Sequence, residues 1–367
     1  MTPKWFAAAM GTGVIAVAAG PSHTEQVIGR VAAVASGAVL VVLLVGYARR
    51  WITTPASALA DIVDDAEFPF HGAIAMGVLA VGAAVRIHFD ALLVPAVGMW
   101  FVGTLLGLAT FTEAIRRRAR HVSDAPPTVL LAVVPPMVSA ATGAALVPHT
   151  SGFARDVLAC ACWTQVAAVA VGVFAVGRGV LTRLRRSGLP DPAARPTLWI
   201  PLGVLGQSIA AVSLLGAVAW PGVHLAAVGY GVVVGTLAAA AIAALTYVTL
   251  TTFAGGLPFS PSWWSFTFPL GTCAVGAHAF GSTTGTAVPH AVGSAVWIAL
   301  CGMWLTAASA TAWWLVRGLG GKAPVKNPMG EKGRTGTFDR AAVFDQTAAF
   351  EGAGADSGAP ASTGRPD

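Results

Sequence analysis

The chain has 367 residues, 55% of them hydrophobic and only 10% charged, with a formal net charge of +6 and a mean hydropathy of +0.71. Soluble globular domains carry about 25% charged residues, so an ordinary soluble domain is excluded and a chain solvated mostly by lipid is indicated. The basic residues lie in short segments between apolar runs, which is a membrane-topology signal, and no nucleic acid is expected as a partner.

Ten apolar stretches, each about long enough to cross a ~30 Å hydrocarbon core as a helix, run at 5–21, 27–48, 69–86, 90–115, 128–148, 154–177, 198–218, 223–250, 263–281 and 288–316. The first follows Lys4 and has the outline of a signal peptide. Gly11, Thr12 and Gly13 fall where a signal would be most apolar, so the stretch reads as a span of the mature chain. After the second stretch come Arg49 and Arg50, then Asp61, Asp64, Asp65 and Glu67, read as a solvated loop. Further basic clusters follow the fourth stretch (Arg116, Arg117, Arg118, Arg120), the sixth (Arg178, Arg183, Arg185, Arg186, Arg195) and the last (Arg317, Lys322, Lys326), while the other side has only Arg30, Arg86 and Arg155. The cationic side stays cytoplasmic. Both termini are therefore expected in the cytoplasm of a cell with this protein in its inner or plasma membrane.

The odd-numbered stretches repeat a helix-weakening cluster: Met10-Gly11-Thr12-Gly13, Met76-Gly77, Pro135-Pro136, Pro201-Leu202-Gly203 and Phe268-Pro269-Leu270-Gly271. Gly11, Gly77, Met137, Gly203 and Gly271 are 66, 60, 66 and 68 residues apart, the mark of a repeated unit. The unit reads as a helical hairpin, one interrupted helix out and one regular helix back. The expected fold class is an all-α polytopic membrane protein, with ten transmembrane helices as five hairpins around a central pore over residues 1–317. Residues 318–367, rich in Gly, Ala, Ser, Thr and Asp without apolar periodicity, are expected to form a disordered cytoplasmic tail.

Proline inside a helix removes a backbone donor, and in lipid the freed groups must be satisfied by protein or water. Gly11, Gly13, Gly77, Pro135, Pro136, Pro201, Gly203, Pro269 and Gly271 are therefore expected as kinks around a wet or transiently wet passage. Close helix packing through small residues is the competing account. Thr12, Ser139, Thr142, Gln207, Ser208, Ser265 and Thr272 are candidate lining groups; for each singly, an intrahelical bond or helix packing is an equal alternative. No Asp, Glu, Lys or Arg sits near the middle of an odd stretch, so nothing there binds an ion tightly, which suits a channel.

The ninth stretch opens Trp263-Trp264-Ser265-Phe266-Thr267-Phe268-Pro269. The tryptophans read as interface anchors. Phe268, one turn deeper, reads from the residues alone as core packing, with a hydrophobic plug as the alternative. His23, His88, His149, His224 and His290 fall one per hairpin beside the outer connections, with His278 near that side. They suggest an outer ring whose protonation attracts anions, against simple surface exposure. Cys160, Cys162, Cys273 and Cys301 form no C-x-x-C pair and read as small apolar side chains. No metal or cofactor is expected, and the sequence lacks the H-E-x-x-H or clustered His/Asp/Glu set that an integral-membrane enzyme needs.

These residues also carry a resemblance. Trp5 to Gly13, Phe70 to Gly77, Leu198 to Gly203 with Gly206-Gln207-Ser208, and Trp263 to Pro269 are similar to the first, third, seventh and ninth helices of the tellurite-resistance/dicarboxylate transporter family. That family includes bacterial tellurite-resistance proteins, malic acid permeases and plant slow anion channels. The resemblance implies five hairpins around a pore and a homotrimer with one pore per protomer. It also implies passage of small anions (chloride, nitrate, C4-dicarboxylates or oxyanions such as tellurite) and a pore-occluding phenylalanine at Phe268. Within the family, a proton-coupled C4-dicarboxylate or oxyanion exporter is the alternative to a channel.

Overall fold

The computed structural model describes residues 1–120, 125–218, 221–257 and 259–319; the expected tail from Gly320 onward lies outside the described residues. All regular structure among them is helical. The helices are α1 (Phe6–Val17), α2 (His23–Thr53), α3 (Pro55–Val63), α4 (His71–His88), α5 (Leu93–Arg120), α6 (Leu130–Val133), α7 (Pro135–Ala144), α8 (Gly152–Ser187), α9 (Ile200–Val218), α10 (His224–Ala254), α11 (Thr267–Thr284) and α12 (Ala287–Leu319). Seven helical stretches are long and apolar enough to cross a membrane, and an eighth qualifies if α6 and α7, bent by 46°, form one span. This is a multi-pass membrane protein. The two stretches outside that set have physical reasons: α1 has only 12 residues, and α11 spends positions on Gly, Thr, Ser and His278.

Burial sorts the helices into two classes. Their most apolar windows are 78% and 83% buried for the segments holding α4 and α9, but only 22–28% for α2, α5, α8, α10 and α12. The outer helices are apolar nearly all round, with Val31, Val171 and Phe174 exposed by 66–71%. Side chains of this kind find no favourable surroundings in water and are suited to lipid. The buried elements touch in chain order, α1 to α4, α4 to α7, α7 to α9 and α9 to α11, and α11 returns to α1. Each packs against the outer helix that follows it, and α2 and α5 also reach the next inner element.

Each inner element begins the same way. Short 3₁₀ turns at Pro3–Trp5, Phe68–Phe70, Pro127–Val129, Pro192–Trp199 and Pro261–Phe266 all carry Pro at their first or second position and lead straight into α1, α4, α6, α9 and α11. Proline fits there because its fixed φ suits a helix start and its missing N–H has no partner to lose.

The expected kinks are corrected. Gly11, Gly13, Gly77, Gly203 and Gly271 lie in unbroken α-helix. Pro201 and Pro269 stand in the first turns of α9 and α11, where the i→i−4 ladder is only beginning. Only Pro135-Pro136 stands at a break, where two successive donors are missing between α6 and α7. Most of the glycines instead allow close approach. A Cβ on Gly11 would collide with Thr267 Oγ1, one on Gly271 with the Val14 side chain, and one on Gly13 would crowd Ala80 and Val81 at 3.3 Å. Gly77 and Gly203 have room, with the nearest atoms at 3.7 and 3.6 Å.

Two further readings change. The acidic connection is not merely solvated: it folds as α3, and Asp61 pairs with Arg50 at 2.8 Å, Asp65 with Arg117 at 2.9 Å, and Glu67 with Lys4. Trp263 and Trp264 are 8% and 4% exposed. They are packed inside the bundle, and Trp264 Nε1 donates to Thr311 Oγ1 at 3.2 Å. Among the cysteines Cys160 is exposed, on the outward α8, while Cys162 and Cys273 are buried.

Candidate functional site

Two cavities lie among the inner elements. One, of about 230 Å³, lies among the C-terminal halves of α1, α4, α7, α9 and α11. The other, of about 850 Å³, lies among their N-terminal halves and the 3₁₀ turns that start them. They are called here the C-side and N-side cavities. Phe268 is the one described residue that lines both. It is 5% exposed and packed within the main apolar core. Its place follows from the local sequence: the turn Pro261–Phe266 runs directly into α11, and Pro269 fixes the backbone immediately after the ring.

The expected lining residues divide. Thr142 and Gln207 are on the C-side wall and Ser265 on the N-side wall. The other four are corrected, because each is used in helix packing or capping its own backbone. Thr12 Oγ1 donates to Ala8 O at 2.7 Å and accepts from Trp304 Nε1 at 2.9 Å. Ser139 Oγ meets Thr104 Oγ1 at 2.6 Å. Ser208 Oγ donates to Leu205 O, and Thr272 Oγ1 to Pro269 O. Even Thr142 spends its proton on Val138 O at 2.8 Å. Gln207, 4% exposed, has no hydrogen-bond partner among the described residues. Its carboxamide faces the neighbouring cavity, which offers it room for water or an ion. Of the expected kink residues, Gly203 and Pro269 also border the N-side cavity.

Charge differs between the two walls. The N-side wall carries both signs, with Lys4 and Arg183 against Asp65, Glu67 and Asp191. Lys4 is bound to Glu67, and Asp65 to Arg117. The C-side wall carries Arg86 and His278 and no carboxylate. Arg86, in the last turn of α4, is half-buried and has no ion-pair or hydrogen-bond partner among the described residues. Sequence reasoning missed its role, counting it only as a basic residue of the sparsely charged side. The available signal was a cation at the end of an otherwise uncharged apolar stretch.

The candidate outer histidines divide. His23, His149 and His224 are exposed. His88 is buried, with Nε2 3.0 Å from Ala16 O. His290 is half-buried and its Nδ1 lies 3.2 Å from Nδ1 of His278. No group of three or more His, Cys, Asp or Glu among the described residues could hold a metal ion.

Comparison with known proteins agrees with this architecture. Residues 1–312 match the model of a family described as voltage-dependent anion channel. Two proteins of Methanocaldococcus jannaschii, both named as uncharacterized transporters, are similar. One is 27% identical over 304 residues, covering 75% of this chain and 82% of the relative. The other is 24% identical over 331 residues, covering 82% and 91%.

Proposed function

Because this chain belongs to the voltage-dependent anion channel family, which takes in the tellurite-resistance/dicarboxylate transporters that its sequence resembles, we propose that it is a gated channel for small anions. The observation that carries this reading is the meeting of two cavities at one buried ring, Phe268. In this reading all five inner elements and five outer helices cross the membrane as five hairpins around the pore. Phe268 closes the pore by excluding water, as a hydrophobic constriction does. The C-side cavity opens outward and the N-side cavity opens to the cytoplasm, following the positive-inside rule. The protein works in the plasma or inner membrane, with both termini inside, as a homotrimer of separately gated pores. Flux follows the gradient and the membrane potential, worth about 2.3 kcal/mol per charge per 100 mV.

The test is to compare anion currents of the wild type and Phe268→Ala in planar bilayers. Small wild-type currents and large anion-selective currents in the variant are expected. Silence in both, with insertion verified, sinks the gated-channel reading. A second reading, proton-linked export of a C4-dicarboxylate or an oxyanion, draws on the His278–His290 contact beside the C-side cavity as a proton-carrying pair. Radiolabelled malate flux that sets up no pH change in liposomes excludes it.

A further inference from the structure

We propose that the C-side cavity is an equilibrium binding site for one small, singly charged anion, held by the guanidinium of Arg86 and the carboxamide of Gln207. The proposal rests on the anion-channel reading and adds the substrate's charge class and the two residues that select it.

Both side chains have hydrogen-bonding capacity that the protein leaves unused. Arg86 offers five N–H donors in a fixed fork, and none has a partner among the described residues. The C-terminal turn of α4 favours a cation there, but only as a diffuse field. Gln207 adds two N–H donors from α9, again without a partner and at 4% exposure. Both line the same cavity of about 230 Å³, far above the roughly 10–15 Å³ that a single water needs. A small anion with part of its hydration shell fits. Unpaired donors in a low-dielectric wall are stabilised by a charge-assisted acceptor.

The charge count sets the class. Arg86 is the one permanently charged residue on this wall, and His278 is the one other titratable group lining it. His278 faces His290 on α12, with the Nδ1 atoms 3.2 Å apart, and Glu25 of α2 is near enough to interact with it electrostatically. One monovalent anion neutralises Arg86. A dicarboxylate dianion would leave a second charge uncompensated inside the protein, which is costly. Arg86 further lets the site recruit anions without binding them too tightly, because a single charge is shared with a cavity that admits water.

The test separates binding from conduction. Thermal unfolding of the purified full chain in detergent is followed while nitrate replaces gluconate at constant ionic strength, and again with malate replacing gluconate. A saturable rise in Tm with nitrate, reached at lower concentration than any rise with malate, is expected for the wild type. Arg86→Gln should raise the half-saturating nitrate concentration about tenfold or more, the loss of one charge-assisted hydrogen bond. Arg86→Lys should recover most of the effect, and Gln207→Leu should weaken it about threefold or more. Size-exclusion profiles matching the wild type establish that each variant is folded. No saturable rise in the wild type, equal nitrate dependence in wild type, Arg86→Gln and Gln207→Leu, or malate saturating before nitrate would overturn the proposal. Chloride efflux from liposomes is measured in parallel. Absent flux with intact Arg86-dependent binding removes the channel reading and leaves the site standing. Flux with Arg86-independent binding does the reverse.

Discussion

The two cavities that meet at Phe268 differ in charge as well as in size. The N-side cavity is the larger and mixes acids with bases, and Lys4–Glu67 and Asp65–Arg117 are paired within or beside its wall. The C-side cavity has a lone arginine and no acid. Paired charges in a wet mouth largely cancel and are screened by salt, whereas an unpaired one in a narrow, low-dielectric cavity focuses a field on what enters. Discrimination between anions and cations should therefore depend on one side of the ring only.

The largest effect expected is at the partition itself. Phe268→Ala merges the cavities, and each removal of about 1.4 kcal/mol of barrier raises single-channel current about tenfold. Unchanged conductance would mean the two cavities are not in series. Arg86→Glu should come next. In the Phe268→Ala background it should lower the anion-to-cation permeability ratio about tenfold, read from the reversal potential under a salt gradient. Packing of the wall ranks third. A Cβ on Gly206 would collide with the backbone of Thr272 and Cys273. Gly206→Ala should thus cost about 1–3 kcal/mol and lower Tm. One turn earlier, Gly203 borders the N-side cavity and has space, so Gly203→Ala should be neutral or gain up to about 1 kcal/mol. The smallest effect is expected from the double change Lys4→Met with Glu67→Gln. That half-buried pair at the wet mouth contributes about 1 kcal/mol, and the reversal potential should not move. A clear shift in selectivity there would erase the contrast between the two ends.

The sequence carried the coarse plan because the plan is written in composition. Five inner segments rich in small residues alternate with five apolar outer helices at a spacing of 60 to 68 residues, and their burial differs as that contrast implies. What composition could not resolve was direction. A Thr or Ser in a helix is as content on its own i−3 or i−4 carbonyl as facing a cavity. Thr12, Ser139, Ser208 and Thr272 therefore looked like Thr142 until their partners were known. Glycines presented a similar ambiguity. The same residue type that weakens a helix also allows a neighbour to touch its backbone, and at Gly11, Gly13 and Gly271 contact is the role. Arg86 and Gln207 gain their meaning from a lack of partners, which only three-dimensional placement reveals.

The contacts of α11 and α12 with α1 have a consequence for how the molecule is made. Trp297 Nε1 donates to Ile15 O at 2.9 Å across 282 residues of chain, and Trp304 Nε1 to Thr12 Oγ1 across 292. At about 5–20 residues per second of synthesis, the first helix waits roughly 15–60 seconds for the segment that completes its surroundings. Until then its polar backbone groups and the small-residue face of α1 must be sheltered by the earlier hairpins or by the insertion machinery. A chain stopped before α11 would lack the last wall of both cavities and the ring that divides them. The final two helices thus complete both cavities and supply the ring between them in one step, so no partly made copy holds the finished walls without their partition.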